Sequence, residues 1–322
     1  MRRLCVTLAA VLSCTTAWAQ TAANWPAKVV RVVVPFPAGG TSDILARLIG
    51  QKLTEAWGQQ IVVESRPGAN GVIGADVIVR SPADGYNFLL TDIGNLMITT
   101  ITLPKVPYDP LRDLTPIGTV SFSPYLLVVH PSVPVKNLTE LIALAKKTPG
   151  KLNFPSGLGG APHLAGIELE NRSGAKWVYI PTKGGQQSLM TVATGEGDLM
   201  FLGMLQTLPF VKNGRLKAIA ISSPKRDPAL PDIATVAEMP GMGGFNAGSW
   251  QGILGPAKLP ADIVGKFSAE LRRVLALPDV KEKLASQGTV PLIMSPQESA
   301  KFLATERDRW AKVVKDSGFK LE

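Results

Sequence analysis

The chain has 322 residues, a formal net charge of +9 and an aromatic content of only 6%. That length is enough for two domains, each with a core of its own. The charge does not form a nucleic-acid stripe. Lys146-Lys147, Arg272-Arg273 and the pair Lys281/Lys283 fall in apparent helices with acids nearby, as on solvated helix faces, and aromatics are not interleaved with them. A mild positive field remains, of a kind that attracts anionic ligands.

The N-terminus reads as a targeting leader. Arg2 and Arg3 precede a short apolar run over residues 4–12, and Ala17-Trp18-Ala19 fits a small-x-small cleavage site. Residues 1–19 are expected to be a signal peptide, leaving Gln20 first and placing the protein in the periplasm. The run is well short of the ~20 apolar residues that span a bilayer, and no later segment is long and apolar enough, so the mature chain is expected to be soluble. A second reading stays open: Val11-Leu12-Ser13-Cys14 loosely resembles a lipoprotein cleavage box, with Leu12 beside the serine a poor fit. Both cysteines, Cys5 and Cys14, lie in the leader. The cleaved chain therefore carries no disulfide and no thiol chemistry, and packing must stabilise it.

In chain order the pattern is strand, glycine-rich turn, helix, repeated. Residues 29–34 are β-branched except for Arg31, as in a parallel strand buried on both faces. A turn over 35–40 leads to a helix over 41–57, with Ile44, Leu45, Leu48, Ile49 and Leu53 on one face. A strand over 61–63, a helix over 72–79 and a strand over 88–91 follow. Such alternation means βαβ units, a sheet covered by helices and an α/β fold. After a loop-rich stretch at 104–116 comes a second set. It has a strand at 125–129, a helix at 138–147 capped by Asn137 with Glu140 closing the box, a strand at 151–154, a helix at 161–171 and a strand at 177–180. Residues 186–193, 199–202 and 216–221 continue the alternation. The tail is helical over 261–276, 278–286 and 296–316, the last opening on Ser295, Pro296 and Glu298.

Two turns join an apolar strand to a helix start: Pro35-Phe36-Pro37-Ala38-Gly39-Gly40-Thr41-Ser42-Asp43 and Pro155-Ser156-Gly157-Leu158-Gly159-Gly160-Ala161-Pro162-His163. A helix start exposes unpaired amides and the positive end of its dipole, and glycine lets a ligand approach the backbone. That combination holds a carboxylate or phosphate, with Thr41, Ser42, Ser156 and His163 as added donors. The plain alternative is an ordinary tight βα turn in which Asp43 only favours the helix dipole. A third loop, Ile180-Pro181-Thr182-Lys183-Gly184-Gly185, and a fourth at Gly203-Met204 have the same two readings, Met204 either lining a pocket or filling a core. Thr91 and Asp92, at the end of the third strand, complete the candidate contacts.

Nucleotide motifs are absent: the glycine spacings match neither G-x-G-x-x-G nor G-x-x-x-x-G-K-[ST], and Gly68, Gly71 and Gly74 form a turn leading into a helix. Catalytic machinery is thin. The two histidines, His130 and His163, make no two-histidine metal motif, no serine sits in G-x-S-x-G, and a Ser156–His163 pair lacks an orienting acid. No metal or cofactor is implied.

The stretch from Val33 to Asp43, with Ala46-Arg47 after it, resembles the signature of the Bug family, the substrate-binding proteins of tripartite tricarboxylate transporters. The resemblance continues through Trp57-Gly58-Gln59, Val62-Val63-Glu64-Ser65-Arg66-Pro67-Gly68-Ala69, Ile73-Gly74-Ala75 and Asp84-Gly85-Tyr86. It returns at 157–164, 181–184, Leu230-Pro231-Asp232 with Thr235-Val236-Ala237-Glu238, and Trp250, Gly252 and Pro256. It implies a type 2 periplasmic binding fold: one lobe of residues 20–123 and 248–322, another of 124–247, with crossings near Ser123-Pro124 and at 247–249. It further implies a small carboxylate held by the first turn, at Ala38, Gly39, Gly40, Thr41 and Ser42, with Phe36 and Pro37 beside them as candidate contacts. The second-lobe turn at Ser156, Gly157, Gly159, Gly160 and His163 would face it. Delivery to membrane permease subunits is implied as well, and a monomer suits such a shuttling receptor. Two departures from the family pattern are Thr182, where tyrosine is frequent, and Gly203, where aspartate is frequent. Losing an acid removes the natural partner of a ligand ammonium, which points to a non-amino acid, including bulky or aromatic acids. A periplasmic hydrolase using Ser156 and His163, and a sensor that presents ligand to a signalling protein, are the alternative readings.

Overall fold

The computed structural model describes residues 24–319, so the expected leader and both cysteines lie outside the described residues. Strand β1 (Val30–Val34) leads through helix α1 (Thr41–Trp57) to β2 (Ile61–Ser65), and α2 (Val72–Val79) leads to β3 (Asn87–Asp92). β1 pairs in parallel with both β2 and β3, which explains its run of buried valines: helices cover both faces of the sheet. Next come α3 (Ile93–Thr102), α4 (Pro110–Asp113) and the 16-residue strand β4 (Leu114–Val129). The second set is α5 (Leu138–Lys147), β5 (Asn153–Ser156), α6 (Ala161–Ser173), β6 (Val178–Pro181), α7 (Gly185–Ala193), β7 (Leu199–Gly203), α8 (Met204–Lys212) and β8 (Lys217–Ile221). β9 (Gly248–Pro256), α9 (Ala261–Ala276), α10 (Pro278–Ala285), the short β10 (Val290–Pro291) and α11 (Pro296–Ser317) close the chain.

The first sheet has the order β10-β4-β9-β3-β1-β2, with β9 antiparallel to both β3 and β4. β4 belongs to two sheets. Its first part pairs with β9 as far as Pro124 opposite Gly248, and from Tyr125 onward it pairs with β7 and β8. Pro124 has no N–H, so it sits where one ladder ends and the next begins. Ser222 stitches this crossing: its hydroxyl accepts from Tyr125 N at 2.8 Å and donates to the Ala247 carbonyl, while Ser222 N donates to Tyr125 O at 2.9 Å.

Three elements depart from the sequence expectation. α3 is rich in β-branched residues, which are poor helix formers, yet Asp92 caps it by accepting from Asn95 N at 2.8 Å and packing holds it. β4 runs through Pro116 and Gly118, residues that argue against a strand, and the register slips there. β9 contains three glycines because its neighbours are close: a Cβ on Gly252 would meet Ile93 Cδ1 at 2.8 Å. α11 begins with the expected Ser295–Glu298 capping box. It packs on α3 and buries Trp310, whose indole donates to Glu306 Oε2 at 3.0 Å.

Candidate functional site

A cavity of about 500 Å³ lies between the two lobes. The first lobe contributes Phe36, Pro37, Gly40, Thr41, Ser42, loop 67–71, Asp92 and Asn95. The crossing strands contribute Tyr125, Ser249 and Gln251, and the second lobe Ser156, Gly157, Gly160, Thr182, Lys183, Gly184, Gly203 and Gln206.

Among the helices that begin at this cavity, α1, α6, α7 and α8 have Gly40, Gly160, Gly184 and Gly203 as N-caps, none of which supplies a side-chain cap of its own. Most N-caps supply an oxygen to the first amides, and glycine has none. The positive ends of four helices therefore converge on one space, an arrangement suited to anionic oxygens. α3 also starts there but is closed by Asp92.

The two main turns share one construction. Gly39 and Gly159 both adopt left-handed backbone, with φ of 81° and 75°. Each donates its amide to the side chain four residues on, Gly39 to Asp43 Oδ2 at 3.0 Å and Gly159 to His163 Nδ1 at 3.0 Å. Gly40 N and Gly160 N return to the carbonyls of Pro37 and Gly157. Asp43 is held in turn by Arg47 at 2.9 Å. Asp43 and His163 thus brace the turns from behind and do not form the cavity wall.

The placement of His163 overturns its reading as a ligand donor or hydrolytic base. It lies off the cavity wall and is 2% exposed, its ring packed edge-on against Tyr179 and Phe319. Burial pushes its pKa down to about 4, so it stays neutral, with Nδ1 accepting and the proton on Nε2. Met204 is likewise a core side chain, lying against Gly288. Ala38, Gly39, Asp43, Thr91 and Gly159 also lie off the cavity wall, while Phe36, Pro37, Gly40, Thr41, Ser42, Asp92, Ser156, Gly157, Gly160, Thr182, Lys183, Gly184 and Gly203 are brought together on it.

A buried polar chain runs along the first-lobe wall. Ser42 Oγ donates to Gln251 Oε1 at 2.7 Å, and Gln251 Nε2 donates to Ser249 Oγ at 2.5 Å and to Asp92 Oδ2 at 3.4 Å. Ser249 donates to Asp92, and Asn95 Nδ2 donates to the Asn70 carbonyl at 2.8 Å. Burial pushes the Asp92 carboxyl up to about 6, opposed by the Ser249 hydroxyl and the Asn95 and Gly94 amides and reinforced by nearby Glu306. Loop 67–71 carries two non-glycine residues in left-handed backbone, Ala69 at φ 46° and Asn70 at φ 51°. Asn70 holds that shape while its Nδ2 donates across the cleft to the Leu158 carbonyl at 2.7 Å.

Sequence reading missed Asn70, Asn95, Gln206, Ser249 and Gln251. Their one local signal is a polar side chain inside an apolar run, such as Gln251 in the wholly buried strand β9.

Two α/β lobes joined by crossing strands, with a cavity between them, define a periplasmic binding protein fold, and solved structures of that class match it. A Rhodopseudomonas palustris protein with adipate aligns at a TM-score of 0.88 and 33% identity over 91% of this chain and 98% of that one. MatC from Rhodopseudomonas palustris with bound malate aligns at 0.83 and 29% over 90% and 100%. In sequence the chain is 34% identical to protein BugT of Bordetella pertussis over 301 residues, 93% of this chain and 92% of that one. Residues 45–319 match the tripartite tricarboxylate transporter family receptor, and the chain belongs to that family. It is a family of transporter receptors, not of enzymes, which removes the hydrolase reading.

Proposed function

We propose that this protein is a monomeric periplasmic receptor that captures a small organic acid lacking an amino group and hands it to the membrane subunits of a tripartite tricarboxylate-type transporter. The observation that carries the reading is the convergence of four glycine-capped helix starts on one cavity. The α1 start at Gly40, Thr41 and Ser42 is the proposed carboxylate-facing end, and it is faced by Ser156, Gly157 and Gly160. It acts through the helix dipole, because Gly40 N, Thr41 N and the Ser42 hydroxyl already have protein acceptors. The cavity volume is typical of small-molecule sites.

The charge inventory of the wall supports an acid over an amino acid. Lys183 is a cation on the wall, and the Asp92 carboxylate is engaged by Ser249, Gln251 and the Asn95 amide. A ligand ammonium would find no free counter-charge there, and burying it unpaired is costly. Thr182 spends its hydroxyl on Ser188 at 2.7 Å, and Gly203 stands so close to Thr41 that a Cβ would meet its Oγ1 at 3.1 Å. The adipate and malate of the two R. palustris structures are in keeping with aliphatic diacids as the first class to test.

A thermal-shift screen against aliphatic diacids, aromatic acids and amino acids tests the proposal. An acid present at 100 times its Kd adds about 2.7 kcal/mol to stability, and a clear rise in Tm with one organic-acid class is expected. Stabilisation by aspartate or glutamate alone would reject the ligand class.

A further inference from the structure

The amides at the start of α1 meet different partners. Gly39 N is tied within its own turn, whereas Thr41 N is met from the other lobe. Gln206, on α8, reaches across the cleft, and its Oε1 accepts from Thr41 N at 2.7 Å and from Thr41 Oγ1 at 3.2 Å. A backbone N–H can only donate, so the carboxamide oxygen must face Thr41 and the side chain has one orientation. Its Nε2 then faces the start of α7, where a Cβ on Gly185 would stand 3.2 Å away. That nitrogen is buried without a hydrogen-bond partner, on a residue only 6% exposed that forms part of the cavity wall. A buried N–H lacking an acceptor is a costly state. The opening amides of α7 lack a side-chain acceptor too.

We propose that Gln206 serves both lobes at once: its oxygen latches the second lobe onto α1, and its nitrogen donates to an oxygen of the bound acid. The donor role rests on the organic-acid reading above; the latch does not. Because the Thr41 contact is what aims Nε2, closure and ligand recognition are linked through one side chain. The group recognised is an acceptor oxygen, and an anionic one gains most beside the α7 dipole.

Two variants separate the roles. Gln206→Glu keeps an oxygen for Thr41 but replaces the donor with a second oxygen, and Gln206→Leu removes both. Small-angle scattering of ligand-free protein reads the latch: wild type and Gln206→Glu should share one radius of gyration, and Gln206→Leu should be larger. An unchanged radius in Gln206→Leu overturns the latch. Calorimetric titration with an acid that the wild type binds reads the donor. Gln206→Glu should bind about 100-fold more weakly at pH 7.5, because a buried anionic oxygen faces the ligand. The deficit should shrink to about tenfold at pH 4.5, where protonation restores a donor. Equal affinity at pH 7.5, or a deficit independent of pH, overturns the donor role. A wild type that binds no organic acid rejects the ligand class and the donor role with it, while scattering still decides the latch.

Discussion

Replacing Asp92 by asparagine keeps the shape of the side chain and removes its charge. Burial raises the Asp92 carboxyl from the ordinary 3.8 to about 6, so between those values the folded protein holds a proton that the unfolded chain has released. The stability this provides is complete below about 3.8 and is lost as pH rises through about 6. At about 1.36 kcal/mol per pH unit, the loss is about 3 kcal/mol. His163 acts in the opposite sense. Its folded value falls from 6.5 to about 4, so its contribution is present above 6.5 and lost as pH falls toward 4, again by about 3 kcal/mol. The wild type should therefore show two slopes that largely offset one another across pH 4–6. Asp92→Asn removes one of them and should make the protein markedly more acid-sensitive in that window. Urea unfolding at pH 4 to 8, followed by tryptophan fluorescence, gives the difference between the two proteins, in which carboxylates common to both, such as Asp113 and Glu238, cancel. That difference should change by about 3 kcal/mol across the window. Parallel curves would refute the reasoning and mean that Asp92 is charged at no cost in its buried site.

Other perturbations address single contacts. Gly74→Ala puts a Cβ 2.7 Å from Pro35 Cα and 2.8 Å from the Arg66 carbonyl, both backbone atoms, so α2 must shift from the first turn. A loss of about 1–3 kcal/mol in denaturant is expected, and an unchanged midpoint would contradict that close approach. Trp310→Ala empties the contact of α11 with α3 and leaves Glu306 without its indole donor, which should cost about 3–5 kcal/mol by the same assay. Asp43→Ala frees the Gly39 amide and Arg47, so the first turn loses its brace. Titration with a bound acid should show about tenfold weaker binding for about 1 kcal/mol of stability, and full affinity would mean that the turn holds its shape unaided.

Several parts of this molecule were written locally and could be read from the chain. The buried valines of β1, the amphipathic face of α1 and the Ser295–Glu298 box each depend on neighbours a few residues away, as do the glycine-rich turns that end in helix starts. The α/β class and the two opposing turns followed from them. What the tertiary structure alone decided depends on partners far apart in sequence. Gln206 meets Thr41 across 165 residues, and Gln251 meets Ser42 across 209. No local pattern encodes those pairs. β4 became one long strand despite Pro116 and Pro124 because β9, β7 and β8 supply its ladders in turn. His163 shows the same limit from the other side. Its sequence position at the third residue of α6 is equivalent to that of Asp43 in α1, and both side chains turn back to brace their own loops, His163 packed against Tyr179 and Phe319 and Asp43 paired with Arg47. Helix starts are legible because hydrogen bonding within a turn is local; the wall of the cavity is not, because it is assembled by the meeting of two lobes.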